Sequence, residues 1–220
     1  MKLSNNTLEI LKNFSQINNS ITFVEGKKQA TISTSKSVAA IATFDESFDK
    51  SFSIYDLNNM LAALSIVEDP VITLNDDSLQ IKGDNTTIRY RYCHKDVVVS
   101  YDPNKEIKLS SITIQLDISK EILSSINKAA SLLNAEMICI EAKDGDVYIK
   151  TYNPDDENSS SAKFKVGTSD ETYSIYFRLQ NLKFIADDYT LEISGNKISR
   201  WVSKNRKIVY YVSPEKNSTV

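Results

Sequence analysis

The stretch Phe52–Tyr55 (FSIY) recurs 121 residues later as Tyr173–Tyr176 (YSIY). In each copy the pattern predicts the end of a strand, then a helix, then further strands. At this offset Leu61 aligns with Leu182 in the sequence, so a second helix is expected in both halves of the chain. An internal repeat of this length predicts two domains of the same architecture.

A second repeat aligns Thr7–Leu11 with Ser119–Leu123, 112 residues later in the sequence. Each segment opens with a hydroxyl residue, which favours the start of a helix. Apolar residues then follow at helical spacing. They are Leu8, Leu11, Phe14 and Ile17 in the first half, and Ile118, Ile122, Ile126, Ala129 and Leu133 in the second.

Alternating, β-branched runs bounded by turn residues surround these helices. Two hairpins are expected, one formed by Ile21–Val24 and Ala30–Ile32, the other by 136–142 and Val147–Lys150. Each half is predicted to hold about two helices and eight or nine strands, without βαβ alternation. The fold class is therefore expected to be α+β with antiparallel sheets.

The expected boundaries follow from this pattern. Residues 1–92 form domain one, 93–110 a connector with a turn signal at Asp102-Pro103, and 111–213 domain two. The tail 214–220 is polar and is expected to be frayed.

Composition sets limits on function. The 220 residues are 41% hydrophobic and 25% charged, which is typical of a globular protein. Since the chain starts with a polar stretch and lacks a run of roughly 20 apolar residues, it is expected to stay where it is made, with no membrane partner. The formal net charge of −3 means that any contact with DNA must use a local basic face.

Catalytic and metal-binding motifs are not evident. The chain has two cysteines and one histidine, fewer than the roughly four ligands that zinc needs. Cys93 and His94 are neighbours and would point to opposite faces of an extended chain. With five glycines and no phosphate loop, the chain is not expected to be an enzyme or to hold a cofactor or metal. A hydrolase with a carboxylate site stays an alternative, although Asp155 and Asp156 lie in a polar loop.

Several short segments resemble the DNA sliding clamp of T-even-type bacteriophages, within the proliferating-cell-nuclear-antigen-like superfamily. The similar segments are Met1–Ser4, Leu11–Phe14, Ile17–Asn18, Ile54–Asn58, Leu61 with Leu64–Ser65, Thr87–Ile88 and Pro103–Lys105. The likeness is dense in 1–21 and 53–75, and thin in the second half.

This resemblance implies two similar clamp domains per chain and a closed homotrimeric ring around double-stranded DNA. It implies a processivity factor that tethers the replicative DNA polymerase after an ATP-driven clamp loader has placed it on DNA. The expected location is the replication fork in the cytoplasm of the infected bacterial host. The alternative is a duplicated α+β protein-binding or virion assembly module with no role on DNA.

The resemblance also implies site residues. A clamp that slides should contact phosphates without reading bases. The residues expected to face DNA are polar residues of the first helix and its repeat partner: Lys12, Asn13, Gln16, Lys120, Asn127 and Lys128.

Subunits are expected to join by pairing of exposed strand edges. One edge is formed by Ile88, Arg89, Tyr90 and Arg91, and the other by Lys163, Phe164 and Lys165. Both edges are cationic, so acidic neighbours must balance them. The alternative is an ordinary edge strand that its charges protect.

Polymerase and clamp-loader peptides are expected to bind an apolar pocket near the connector. Its predicted residues are Val97, Val99, Tyr101, Ile107, Val209 and Tyr211. The alternative is plain packing beneath a linker.

Overall fold

The computed structural model describes residues 1–105, 107–156, 158–195 and 198–219. The chain divides into two compact units, Met1–Glu106 and Ile107–Val220. The predicted bounds of the two domains and of a separate connector stay predictions.

Unit 1 combines two helices with short antiparallel strands. In chain order its elements are α1 (Asn5–Ile17), β1 (Ile21–Phe23), β2 (Gly26–Ile32), β3 (Val38–Phe48), β4 (Phe52–Ile54), α2 (Leu57–Ile66), β5 (Val71–Leu74), β6 (Ser78–Lys82) and β7 (Thr87–Arg91), followed by a short 3₁₀ turn (Lys95–Val97).

Unit 2 repeats this order with one long helix among its described residues. Its elements are β8 (Ile112–Ile118), α3 (Lys120–Leu132), β9 (Met137–Lys143), β10 (Asp146–Tyr152), β11 (Lys163–Thr168), β12 (Tyr173–Arg178), a 3₁₀ turn (Leu179–Asn181), β13 (Tyr189–Ser194), β14 (Ile198–Ser203) and β15 (Ile208–Val212). The predicted α+β class with antiparallel sheets is confirmed.

Serine side chains start the two long helices. Ser119 Oγ accepts a hydrogen bond from Ile122 N (3.3 Å), and Ser4 Oγ accepts one from Thr7 N (3.1 Å). Thr7 therefore lies inside α1, and the prediction that it opens the helix was wrong. Because Ser4 supplies the cap, the two helices correspond at an offset of 115 residues.

Three antiparallel groups of strands form in unit 1: β1 with β4, β2 with β3, and β5-β6-β7. The predicted hairpin between β1 and β2 was wrong, because β1 pairs with β4 instead. The buried Gln29 side chain explains the turn there. Its Oε1 accepts from Val24 N (2.9 Å), and its Nε2 donates to Val24 O (2.8 Å) and Gly26 O (3.1 Å).

Unit 2 holds a sheet of order β11-β10-β9-β12 and the run β15-β14-β13-β8. The predicted hairpin of β9 and β10 is confirmed. Its two central residues, Asp144 and Gly145, have φ values of 55° and 88°, as a two-residue hairpin turn requires.

The predicted second helix of the second half is replaced by the 3₁₀ turn Leu179–Asn181, and that prediction was wrong. In unit 1, Asp56 caps α2 by accepting from Asn59 N (2.9 Å). The residue 121 positions later is the buried Phe177, and the 3₁₀ turn lacks a side-chain cap. A lost cap costs a helix about 1 kcal/mol. The segment instead stays irregular until β13.

Each unit has its own aromatic core. Phe23 stacks on Phe52 with ring centroids 4.7 Å apart in unit 1. In unit 2, Phe184 lies 4.5 Å from Tyr210 and 5.0 Å from Trp201 by the same measure. Aromatic pairs at these separations stabilise a core beyond their burial alone.

The tail is not frayed over its described residues, so that prediction was wrong. Thr219 N donates to Ser174 O (2.8 Å), and Glu215 N donates to Tyr176 O (2.9 Å). Ser218 is buried, and its Oγ accepts from Tyr176 N (3.0 Å). These bonds lay the segment along the outer edge of β12.

Candidate nucleic-acid interface

One face of α1 is polar and exposed. Burial of Leu11 and Phe14 fixes the orientation of the helix. The opposite face then presents residues three or four positions apart, which share one side of a helix. They are Asn5, Glu9, Lys12 and Gln16.

Asn13 does not belong to this face. Its side chain is 5% exposed, so the prediction that it faces DNA was wrong. The helical spacing gives the reason, since Asn13 follows the buried Ile10 by three positions and adjoins the buried Phe14.

The exposed face of α3 carries two lysines, where that of α1 carries one. Ile126 and Ala130 are buried and set its inner side. Lys120 N donates to Asp188 Oδ1 (2.8 Å), which holds the first turn of the helix in place. The exposed polar residues are Lys120, Glu121, Ser124, Asn127, Lys128 and Ser131.

The helix lysines differ from several other lysines of the chain, which are ion-paired. Within the described residues, none of the ion pairs involves Lys12, Lys120 or Lys128. By contrast, Lys50 lies 3.3 Å from Asp76, and Lys204 lies 2.7 Å from Asp117. The helix lysines can therefore meet an anion without first giving up a carboxylate. Their contact with DNA stays a prediction.

The edge of β7 is open. Among the described strands, β7 pairs with β6 alone. Tyr92 N donates to Asp77 O (3.0 Å), which marks one hydrogen-bonded pair of the ladder. Because such pairs alternate along antiparallel strands, the backbone N–H and C=O groups of Thr87, Arg89 and Arg91 point away from β6.

The edge of β11 is open in the same sense. This strand pairs with β10, and Thr151 N donates to Ala162 O (2.9 Å) at its start. By the same alternation, the backbone groups of Lys163 and Lys165 point away from the sheet. The two strands predicted to form the subunit interface are thus both edge strands. Their pairing across subunits stays a prediction.

The opposite edges of these two sheets are covered by the chain itself. Along β5, Met1 N donates to Ile72 O (2.5 Å), and Ile72 N donates to Met1 O (2.7 Å). Along β12, the segment that contains Thr219 makes the bonds described above. Covering an edge prevents unwanted strand addition, so β7 and β11 are the edges left for a partner.

Carboxylates balance the charge of both open edges. Arg89 Nη2 lies 2.6 Å from Asp77 Oδ2, and Lys165 Nζ lies 2.6 Å from Asp146 Oδ1. Each pair holds the pKa of its aspartate below the ordinary value of 3.8. Lys163 Nζ sits 3.8 Å above the ring of Tyr148. The acidic neighbours that two cationic strands need in order to pair are therefore present.

The residues predicted for the partner pocket lie in two places. In unit 1, Val97 and Val99 are 57% and 37% exposed, and the Tyr101 hydroxyl donates to Lys105 O (2.9 Å). Asn18 Nδ2 donates to Val99 O (3.1 Å) and so ties this segment to α1. In unit 2, the half-buried residues are Ile107, Val209 and Tyr211. A pocket formed by them stays a prediction.

The described residues contain no group of three or more His, Cys, Asp and Glu side chains placed to hold a metal ion. In that same part of the chain, every helix is too short or too polar to cross a membrane. Burial raises the pKa of the Cys139 thiol to about 11, so this thiol is protonated at neutral pH.

Comparison with solved structures identifies the fold. A. fulgidus PCNA, solved with the C-terminal region of FEN-1 bound, aligns over 96% of this chain and 96% of its own, with a TM-score of 0.66 and 12% identity. The fold is therefore that of the DNA clamps.

Sequence comparison finds a matching family model and two similar phage proteins. Residues 2–100 match the DNA polymerase processivity factor family. The sliding clamp of Vibrio phage KVP40 is 26% identical, with 98% of this chain and 99% of that protein covered. The sliding clamp of Escherichia phage RB69 is 27% identical, with 100% and 99% covered. Over its full length the chain is similar to sliding clamps of T-even-type phages, which is the resemblance that its sequence predicted.

Proposed function

We propose that this protein is a sliding clamp that encircles duplex DNA and tethers the replicative DNA polymerase for processive synthesis. The observation that carries this proposal is similarity along the full chain to proteins named as sliding clamps. An ATP-driven clamp loader would place the ring on DNA at the replication fork, in the cytoplasm of the infected bacterium.

DNA would be held by the exposed faces of α1 and α3. Lys12, Lys120 and Lys128 would attract phosphates, while Gln16 and Asn127 would contribute water-mediated contacts. Phosphate attraction carries no sequence information, so it permits sliding. The support is that these lysines are exposed and carry no intramolecular ion pair in the described part of the chain.

The ring would close by strand addition between β7 of one subunit and β11 of the next. Three copies joined head to tail, with two clamp domains each, would give the homotrimer. Two observations support this pairing: the backbone groups of Arg89, Arg91, Lys163 and Lys165 point outward, and the other edge of each sheet is covered.

Polymerase and loader peptides would bind beside the connector. The exposed Val97 and Val99 supply an apolar surface there, and Asn18 anchors their backbone. A. fulgidus PCNA was solved with a bound C-terminal region of another protein, which supports a peptide site on clamps of this fold.

Primer extension tests the function directly. The polymerase and loader of a T-even-type phage would extend a primed single-stranded circle, with excess trap DNA added at the start to prevent rebinding. Addition of this protein with the loader and ATP should lengthen the products of a single binding event at least about tenfold. Product lengths that stay the same with and without the protein would contradict the proposal.

A further inference from the structure

A groove of about 650 Å³ runs along α3 in unit 2. Its volume is within the usual range for a ligand site. The floor is apolar and is formed by Leu123, Ile126, Ile138, Leu182, Phe184 and Ile185.

The equivalent place in unit 1 is occupied by a helix. When α1 and α3 are aligned at their serine caps, Leu8 corresponds to Leu123. Leu8 faces Leu61 and Leu64 of α2 across a small pocket of about 190 Å³. The 3₁₀ turn of unit 2 does not fill the equivalent space, so the groove beside α3 has the position and the apolar lining of a helix-binding site.

The rim of the groove is positively charged, which favours a negatively charged ligand. Lys120 and Lys128 line it, and neither forms an ion pair within the described residues. Asp187 also lines the groove, but its carboxylate is buried and accepts hydrogen bonds from Ser203 and Asn205. Leu132 also lines it and is 81% exposed, so its side chain is accessible to a partner. An occupant should therefore carry acidic side chains beside an apolar stripe.

We propose that this groove binds an amphipathic, acidic helix of a partner protein. Apolar side chains three and four positions apart would enter the groove, as those of α2 pack on α1 in unit 1. Carboxylates on the flanks of that helix would meet Lys120 and Lys128. Because the same lysines are proposed to attract DNA phosphates, the partner helix and DNA would compete for them. The site is separate from the residues predicted for the connector pocket, and it adds a second partner surface to the clamp.

A designed peptide tests this proposal on the full-length protein. The probe is the α2 sequence Asp56–Val67 with two glutamates added at each end and a fluorescein label. Its matched control carries lysines in place of the added glutamates. Fluorescence anisotropy should show saturable binding of the acidic probe and at least about tenfold weaker binding of the basic one.

Two variants at exposed positions locate the binding. Leu132→Asn should weaken binding of the acidic probe about tenfold, since it removes an apolar contact that the bound peptide would bury. Ile66→Asn, at a residue that is 71% exposed on α2, should leave the affinity unchanged. The proposal is overturned by an absence of binding at about 1 mM protein, or by equal affinities of the two variants.

The result separates this inference from the proposed function. Leu132→Asn should stay on circular DNA as the wild-type protein does, because Leu132 is not among the residues proposed to contact DNA. Loss of peptide binding with normal retention on DNA supports the groove. If the wild-type protein is not retained on circular DNA either, the result counts against the clamp function. The peptide-binding result then still tests the groove independently.

Discussion

Lys165 Nζ lies 2.6 Å from Asp146 Oδ1, where the outermost strand β11 meets its neighbour β10. Without this carboxylate, Lys165 would lack a charge partner at the open edge of β11, while Lys163 would keep Glu141 at 3.8 Å. The hydrogen bond from Lys165 lowers the pKa of Asp146, so the carboxylate is charged at neutral pH. The pair makes the edge close to neutral and is compatible with strand addition by β7.

Asp146→Asn should therefore weaken the trimer. Removal of the carboxylate leaves Lys165 unpaired at the edge that would face the arginines of β7, and repulsion is strongest at low salt. The trimer dissociation midpoint, measured by mass photometry, should rise several-fold at low ionic strength and approach wild type at high salt. Asp144→Asn is the matched control at an exposed turn. Equal midpoints for the two variants would argue against β11 as an interface strand.

Arg91→Pro should block ring closure while leaving the fold intact. The Arg91 amide points away from β6, so proline removes a hydrogen bond to the next subunit and keeps the internal ladder. Arg91→Ala loses the same side chain but retains the amide. Sedimentation should give monomers for the proline variant and trimers for the alanine variant. A trimeric proline variant would show that β7 does not pair in this way.

The double variant Lys12→Ala/Lys128→Ala should reduce the salt dependence of DNA binding. Removing one lysine that binds a phosphate lowers the slope of log K against log salt by roughly 1. Lys28→Ala/Lys143→Ala, at exposed sheet positions, removes the same charge and should change the slope less. Equal slopes for the two double variants would mean that α1 and α3 do not face DNA.

Asp187 should make unit 2 sensitive to acid. Burial raises its pKa, but hydrogen bonds from Ser203 and from Asn205 (2.5 Å) outweigh that effect, and the net pKa lies below 3.8. Its stabilisation is thus present above about pH 4 and is lost as the pH falls through the lowered pKa.

Asp187→Asn should cost about 1–3 kcal/mol of unfolding free energy at pH 7 and less at pH 3. Urea denaturation at both pH values measures this difference. Asp144→Asn, at an exposed turn, should show little loss at either pH. A loss for Asp187→Asn that is the same at both pH values would contradict the role of its charge.

The sequence predicted those parts of the fold that depend on local patterns. Helical spacing located α1 and α3, and the Asp144-Gly145 turn located the β9–β10 hairpin. The β1–β2 hairpin prediction failed because β1 pairs with β4, and the side chain of Gln29 satisfies the backbone of Val24 instead. The absence of a second helix in unit 2 was visible in the sequence. Phe177 stands at the position of the repeat where unit 1 has the helix-capping Asp56.

The site was predictable where a helix face decides exposure. Lys12, Lys120, Asn127 and Lys128 are exposed as expected, while Asn13 is buried because it borders the apolar stripe of α1. The covered edges could not be predicted, because the bonds between Met1 and Ile72 join residues 71 positions apart. Periodicity carries no information about such long-range pairing.

Retention on DNA of defined topology tests the central claim most directly. The protein would be loaded onto a nicked circular plasmid, and the complex separated by gel filtration at about 0.3 M salt, where simple electrostatic binding is weak. A clamp that encircles DNA should elute with the circle and be lost once the plasmid is cut at a single site. Equal retention on circular and linear DNA, or loss from both, would contradict encirclement.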